Sequence, residues 1–164
     1  MQLSIVPMTN NDIFRRLRYI FDFSDDQVIE LFRLGGQEVT RAEISNWLKN
    51  DEDEAQTTLY DEEMAVFLSG LIVKKRGARD GETPKPEKNL NNNIIFRKLK
   101  IALNLKDRDI LDVLDRANLE VSKHELSAIF RKPGQKQYRK CKDQFLRNFL
   151  LGLQYQYRPD CNKQ

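Results

Sequence analysis

The residues best equipped for recognition chemistry lie in one short basic segment. Arg131, Lys132, Lys136, Arg139, Lys140 and Lys142 surround Tyr138. Cations with an interleaved aromatic suit phosphate contact combined with base stacking. Over residues 131–145 six cations meet one acid, a net +5, whereas residues 49–63 hold one cation and seven acids, a net −6. This layout admits three readings. The basic patch meets phosphates or an acidic partner, the two segments make head-to-tail contact between molecules, or both are solvated loops charged for solubility.

A second candidate pair is Arg15 and Arg97. Each sits near the start of an apolar-periodic helix, about 200° around the wheel from Ile13 or Ile95 and so away from the buried stripe. A small anion beside a helix N-terminus would suit such a cation. So would a structural bridge through Asp25 or Asp107.

Catalytic readings find less support. His124 is the sole histidine, which excludes chemistry that requires several, and its place in the first turn of an exposed helix reads as surface. Cys141 lies between Lys140 and Lys142, and nearby cations can lower a thiol pKa. No base or orienting partner accompanies it, so the thiol reads as inert. Asp51 and Glu52 fall within a charge run and read as a solvated face. There is no Gly-rich phosphate loop, HExxH or CxxC. The sequence therefore predicts no active site, no metal, no cofactor and no small-molecule substrate.

Composition narrows the class. The chain has 164 residues, 32% charged and 40% hydrophobic, with a mean hydropathy of −0.66. That is too apolar for a disordered tail and too polar for a membrane protein. No apolar run approaches the roughly 20 residues of a membrane span. Met1 to Met8 has no basic n-region or cleavage site, so secretion is not expected. Two cysteines, Cys141 and Cys161, form no disulfide framework and suit a reducing cytoplasm.

The chain is one unit written twice. Shifted by 82 positions, residues 10–73 superpose on 92–155 without a gap. Asn10-Asn11 falls on Asn92-Asn93, Ile13-Phe14-Arg15 on Ile95-Phe96-Arg97, and Gly70-Leu71 on Gly152-Leu153. About a quarter of the positions are identical. The expected organisation is an extension over 1–9, repeat 1 over 10–73, a charged Pro- and Gly-containing linker over 74–91, repeat 2 over 92–157, and a tail over 158–164. Residues 1–82 carry 10 cations against 16 acids, and residues 83–164 carry 18 against 9.

Each repeat reads as four short helices, and the fold class as all-α. Ile13, Phe14, Leu17, Ile20 and Phe21 recur at helical spacing, behind Asn10 or Asn11 as a cap. Ser24 with Gln27, Thr40 with Glu43 and Ser122 with Glu125 have capping-box spacing. Gly36 and Asn118 suit a left-handed helix end. Trp47, matched by Ile129, and the set Met64, Phe67, Leu68 and Leu71 read as core. A repeat of this size buries too little apolar surface to stand alone, so the two should pack together, in the manner of a pseudo-twofold.

The segment from residue 34 to 49 has some look of a helix-turn-helix. The Gly35–Val39 connection is longer than the usual turn, however, and the acids 51–54 would repel phosphate. Only repeat 2, with Lys123, His124, Arg131 and Lys132, could read nucleic acid in that way.

Asn10-Asn-Asp-Ile-Phe-Arg-Arg-Leu-Arg-Tyr-Ile20, Asn91-Asn-Asn-Ile-Ile-Phe-Arg-Lys-Leu-Lys-Ile-Ala102, Phe67-Leu-Ser-Gly-Leu71, Lys74-Lys-Arg-Gly77 and Asp143-Gln-Phe-Leu-Arg147 resemble the YehS-like family of small duplicated bacterial proteins. The resemblance covers roughly residues 8–157. It implies a bacterial cytoplasmic protein, makes residues 1–7 an extension or Met8 an alternative start, and carries over no catalytic residue, cofactor or ligand. The expectation is a non-enzymatic helical interaction module that binds a macromolecular partner, whether protein or nucleic acid, or itself, through its charged loops. The alternative is a nucleic-acid-binding or transcription-accessory protein that uses the basic segment of repeat 2.

Overall fold

The computed structural model describes residues 7–77 and 85–162. Most of the expected extension, the middle of the linker and the end of the tail lie outside the described residues. The chain folds into α1 (Asn10–Phe21), α2 (Asp25–Leu34), α3 (Arg41–Leu48) and α4 (Asp61–Arg76), then α5 (Asn92–Ala102), α6 (Asp107–Arg116), α7 (Lys123–Phe130) and α8 (Asp143–Tyr157), with a 3₁₀ turn over Pro159–Asn162. No strand occurs among the described residues.

Local signals set most helix ends. Ser24 and Thr40 make full capping boxes with Gln27 and Glu43, and Ser122 Oγ accepts from Glu125 N–H. Gly36 and Asn118 take φ of 104° and 61°, as their helix-end positions require. The asparagine pairs depart from expectation. Thr9 caps α1 and Asn91 caps α5, which frees the next two asparagines in each repeat for another task.

Within each repeat the last helix crosses the second at very short range. A Cβ on Gly70 would lie 1.7 Å from the Leu31 carbonyl oxygen, and one on Gly152 2.0 Å from that of Val113. These are the same crossing in the two repeats, and only glycine permits it. Around it Phe14, Phe32, Trp47 and Phe67 form an aromatic core in repeat 1, with Trp47 stacked on Phe32 at 5.3 Å. Phe96 takes the equivalent role in repeat 2, against Phe130, Phe145 and Phe149.

The repeats share one hydrophobic core. Helix α4 packs on α5, and α8 packs on α1, which is one contact made twice with the repeats exchanged. Polar clamps repeat the exchange at both ends. Met8 N–H donates to Asp143 at 3.0 Å, and Leu90 N–H to Asp61 at 2.9 Å. Arg158 donates to the Tyr19 carbonyl at 3.1 Å and pairs with Asp22, while Arg76 donates to Asn104 Oδ1 at 2.9 Å. All these partners obey the 82-residue offset, so the arrangement is a pseudo-twofold. The described part of the linker is not simply solvated, because Glu87 pairs with Lys98 at 3.0 Å and Leu90 is half-buried.

Candidate interaction surface

The two asparagine pairs build the site. In repeat 1, Asn11 Nδ2 donates to the Trp47 and Thr57 carbonyls at 3.0 and 2.9 Å, and its Oδ1 accepts from Leu59 N–H at 3.0 Å. In repeat 2, Asn93 does the same with Ile129, Arg139 and Cys141, at 3.0, 2.9 and 2.9 Å. Asn10 and Asn92 add bonds to Leu59 and Asp61, and to Cys141 and Asp143. Buried amides thus hold the long α3–α4 and α7–α8 loops in equivalent positions. A pair of Asn types 82 residues apart is visible in the sequence, but its reach across 36 to 48 residues is not.

These loops carry the opposite charges. Lys132, Lys136, Arg139, Lys140 and Lys142 are all exposed, and Arg131 and Tyr138 are half-buried. None of the six cations makes an ion pair among the described residues. Arg131 Nε is buried without a hydrogen-bond partner there. Arg18 Nε is in the same state, so this feature does not set the basic segment apart. On the acidic loop Glu52, Asp53 and Glu54 are exposed and make no ion pair among the described residues, whereas Asp51 lies 3.5 Å from Arg15.

Arg15 and Arg97 do not bridge the repeats through Asp25 and Asp107. Arg15 Nη1 donates to the Lys49 carbonyl at 2.6 Å, and its other nitrogen pairs with Asp12. Arg97 donates to the Phe130 carbonyl at 2.7 Å. Both therefore sit on the C-terminal carbonyls of α3 and α7, where the helix dipole favours a cation. Arg18 and Lys100, one turn further on, pair with Asp25 and Asp107 within their own repeats. Arg97 is exposed and lies against the start of the basic loop; Arg15 is half-buried and already engaged.

The titrating groups follow their surroundings. Burial pushes the Cys141 thiol up to about 12, with the Asp143 carboxylate adding to the effect, so the flanking lysines do not activate it. The hydrogen bond from Asn92, with that from Met8 N–H, holds the Asp143 carboxyl below its ordinary value. Asp12 is also lowered; burial opposes the shift, and bonds from Thr9 and Arg15 outweigh it. His124 is exposed. Among the described residues no three His, Cys, Asp or Glu side chains are grouped to hold a metal. No described helix is long and apolar enough to cross a membrane. A cleft of about 670 Å³ opens where α1, α4 and α5 begin, lined by Thr9, Asn10, Tyr60, Asp61 and Leu90. One of its carboxylates, Asp61, is already satisfied by Asn10 and Leu90.

An all-α fold built from two copies of one four-helix unit, with paired asparagines anchoring charged loops, defines a duplicated-domain class. The chain belongs to the family described as protein of unknown function (DUF1456), whose model matches residues 10–77 and again 92–158. It is 41% identical over 148 residues to the "Uncharacterized protein YehS" of Escherichia coli (strain K12), covering 89% of this chain and 94% of that protein. No solved structure matches the chain significantly.

Proposed function

We propose that the protein is a non-enzymatic interaction module whose α7–α8 basic segment engages an anionic macromolecule. The observation that carries this reading is the set of exposed cations without ion pairs among the described residues, on a loop held in place by Asn93. Solubility alone does not call for a buried amide anchor beneath such a loop. Nucleic acid is the second reading, favoured by the half-exposed Tyr138 among the cations.

The test is a binding titration of the full chain with heparin and with a single-stranded oligonucleotide, over a salt series. Binding through phosphates falls log-linearly with salt, at a slope that tracks the phosphates neutralised. The triple variant R139E/K140E/K142E should lose binding while keeping the native melting curve, because all three side chains are exposed. Equal binding by wild type and variant would refute the reading. Retention of heparin with no oligonucleotide binding would remove nucleic acid and leave an acidic protein partner.

A further inference from the structure

We infer that the acidic α3–α4 segment of a second copy docks on the basic α7–α8 segment, and that this chain forms a closed twofold dimer through two such contacts. The inference rests on the basic segment being a recognition surface, and it names one occupant of that surface.

Three observations support it. The first is complementarity on a common frame. Residues 49–63 and 131–145 carry net −6 and +5, and the Asn11 and Asn93 amides hold their later halves in matching positions. The second is that no ion pair joins the two segments within one molecule among the described residues, so neither neutralises the other internally.

The third is their placement. Asn10, Asp61 and Leu90 form one hydrogen-bonded chain, and Asn92, Asp143 and Met8 form its pseudo-symmetric equal. Both loops are tied to these chains, so they flank the same end of the bundle on opposite sides of the pseudo-twofold. A second molecule turned through 180° about an axis perpendicular to that pseudo-twofold meets the first end to end. Its acidic segment then faces the first molecule's basic segment, and the reverse contact forms at the same time. Head-to-tail stacking uses one contact per junction and grows without limit, whereas the twofold arrangement closes with both satisfied. Complementary charge also sets register and suppresses like-charged alternatives.

Sedimentation velocity on the full chain tests this directly. Wild type should sediment as a dimer in low salt and dissociate at 1 M, where the Debye length is roughly 3 Å. R139E/K140E/K142E should be monomeric in low salt, and so should E52K/D53K/E54K, since all six side chains are exposed. Mixed in equal amounts, the two variants should dimerise again. That heterodimer keeps one native contact and makes the other with its charges exchanged. Each variant alone should self-associate about tenfold or more weakly than wild type, with circular dichroism reporting a native fold.

A wild type that stays monomeric in low salt overturns the inference, as does a mixture that stays monomeric or a wild type that grows into an unlimited series of oligomers. The heparin titration separates this failure from failure of the functional reading. Heparin binding retained by E52K/D53K/E54K and lost by R139E/K140E/K142E, with no dimer, sinks only the dimer. Heparin binding retained by both variants removes the surface on which the dimer depends.

Discussion

Asn11 is the most sensitive single point in repeat 1. Replacing it with alanine leaves three backbone groups without their partners, the Trp47 and Thr57 carbonyls and the Leu59 amide. Thr57 is exposed, so water takes over its carbonyl. Trp47 and Leu59 are 3% and 1% exposed, and water reaches neither easily. At about 1–3 kcal/mol for each of these two stranded buried groups, Asn11→Ala should cost roughly 2–6 kcal/mol. That is a large part of the roughly 5–15 kcal/mol that holds a domain folded. At about 2–4 °C per kcal/mol for a chain of this size, the melting midpoint should fall by about 4–24 °C. Thermal melts followed by circular dichroism and by the fluorescence of Trp47, the sole tryptophan, measure it. Asn11→Asp provides the control. At pH 7 the new carboxylate keeps the acceptor for Leu59 but turns negative charge on two carbonyls, so it should be at least as harmful as alanine. As the pH falls the acid gains a proton, regains one donor, and should narrow its deficit. A shift below about 0.5 kcal/mol for Asn11→Ala, or Asn11→Asp more stable than Asn11→Ala at pH 7, would refute the reasoning. Asn93→Ala should destabilise similarly, and because Asn93 anchors the basic loop it should also weaken heparin binding.

Trp47→Ala removes a ring packed on Phe14 and Phe32 and should cost roughly 3–5 kcal/mol in denaturant melts; an unchanged midpoint would contradict its burial. Gly70→Ala and Gly152→Ala should each strongly destabilise or unfold the chain, since the added carbon would fall within 2.0 Å of a backbone oxygen; a native melt for either would show that the helix crossing can open. Cys141 should resist thiol reagents until the protein unfolds, as timed labelling with and without denaturant will report. Its folded pKa of about 12 exceeds the ordinary 9.0. Its contribution to stability is therefore complete below about pH 9 and is lost as pH rises toward 12, so Cys141→Ser should flatten that alkaline decline. The full chain should melt in one transition, with isolated 1–82 and 83–164 poorly stable, because α4 and α8 each bury against the other repeat; two separated melts would deny the shared core.

Duplication, the all-α class, the caps at Ser24, Thr40 and Ser122 and the core roles of Phe14, Phe32, Trp47 and Phe67 were legible in the residues. They depend on spacing along the chain, and spacing is what a sequence displays. The opposite charges of residues 49–63 and 131–145 were legible for the same reason. The asparagine pairs were legible as repeated residues and misread as caps, because an Asn at a helix start has the same sequence signature whether its amide turns back on the helix or reaches a distant loop.

Tertiary structure decided the rest. Sequence periodicity marks Met64, Phe67, Leu68 and Leu71 as the core stripe of α4. In the fold Ala65, Val66, Ser69 and Gly70 are buried too, since α2 covers one side of the helix and α5 of the other repeat covers another. Arg15 and Arg97 could be placed outside the stripe from a helical wheel. That they meet the ends of α3 and α7, leaving Asp25 and Asp107 to Arg18 and Lys100, depends on helix-crossing angles that no local pattern encodes. Cys141 shows the division most clearly. Its sequence neighbours are two lysines, which would favour the thiolate, yet its amide is held by Asn93 and its side chain is buried, where desolvation and the Asp143 carboxylate push the thiol up.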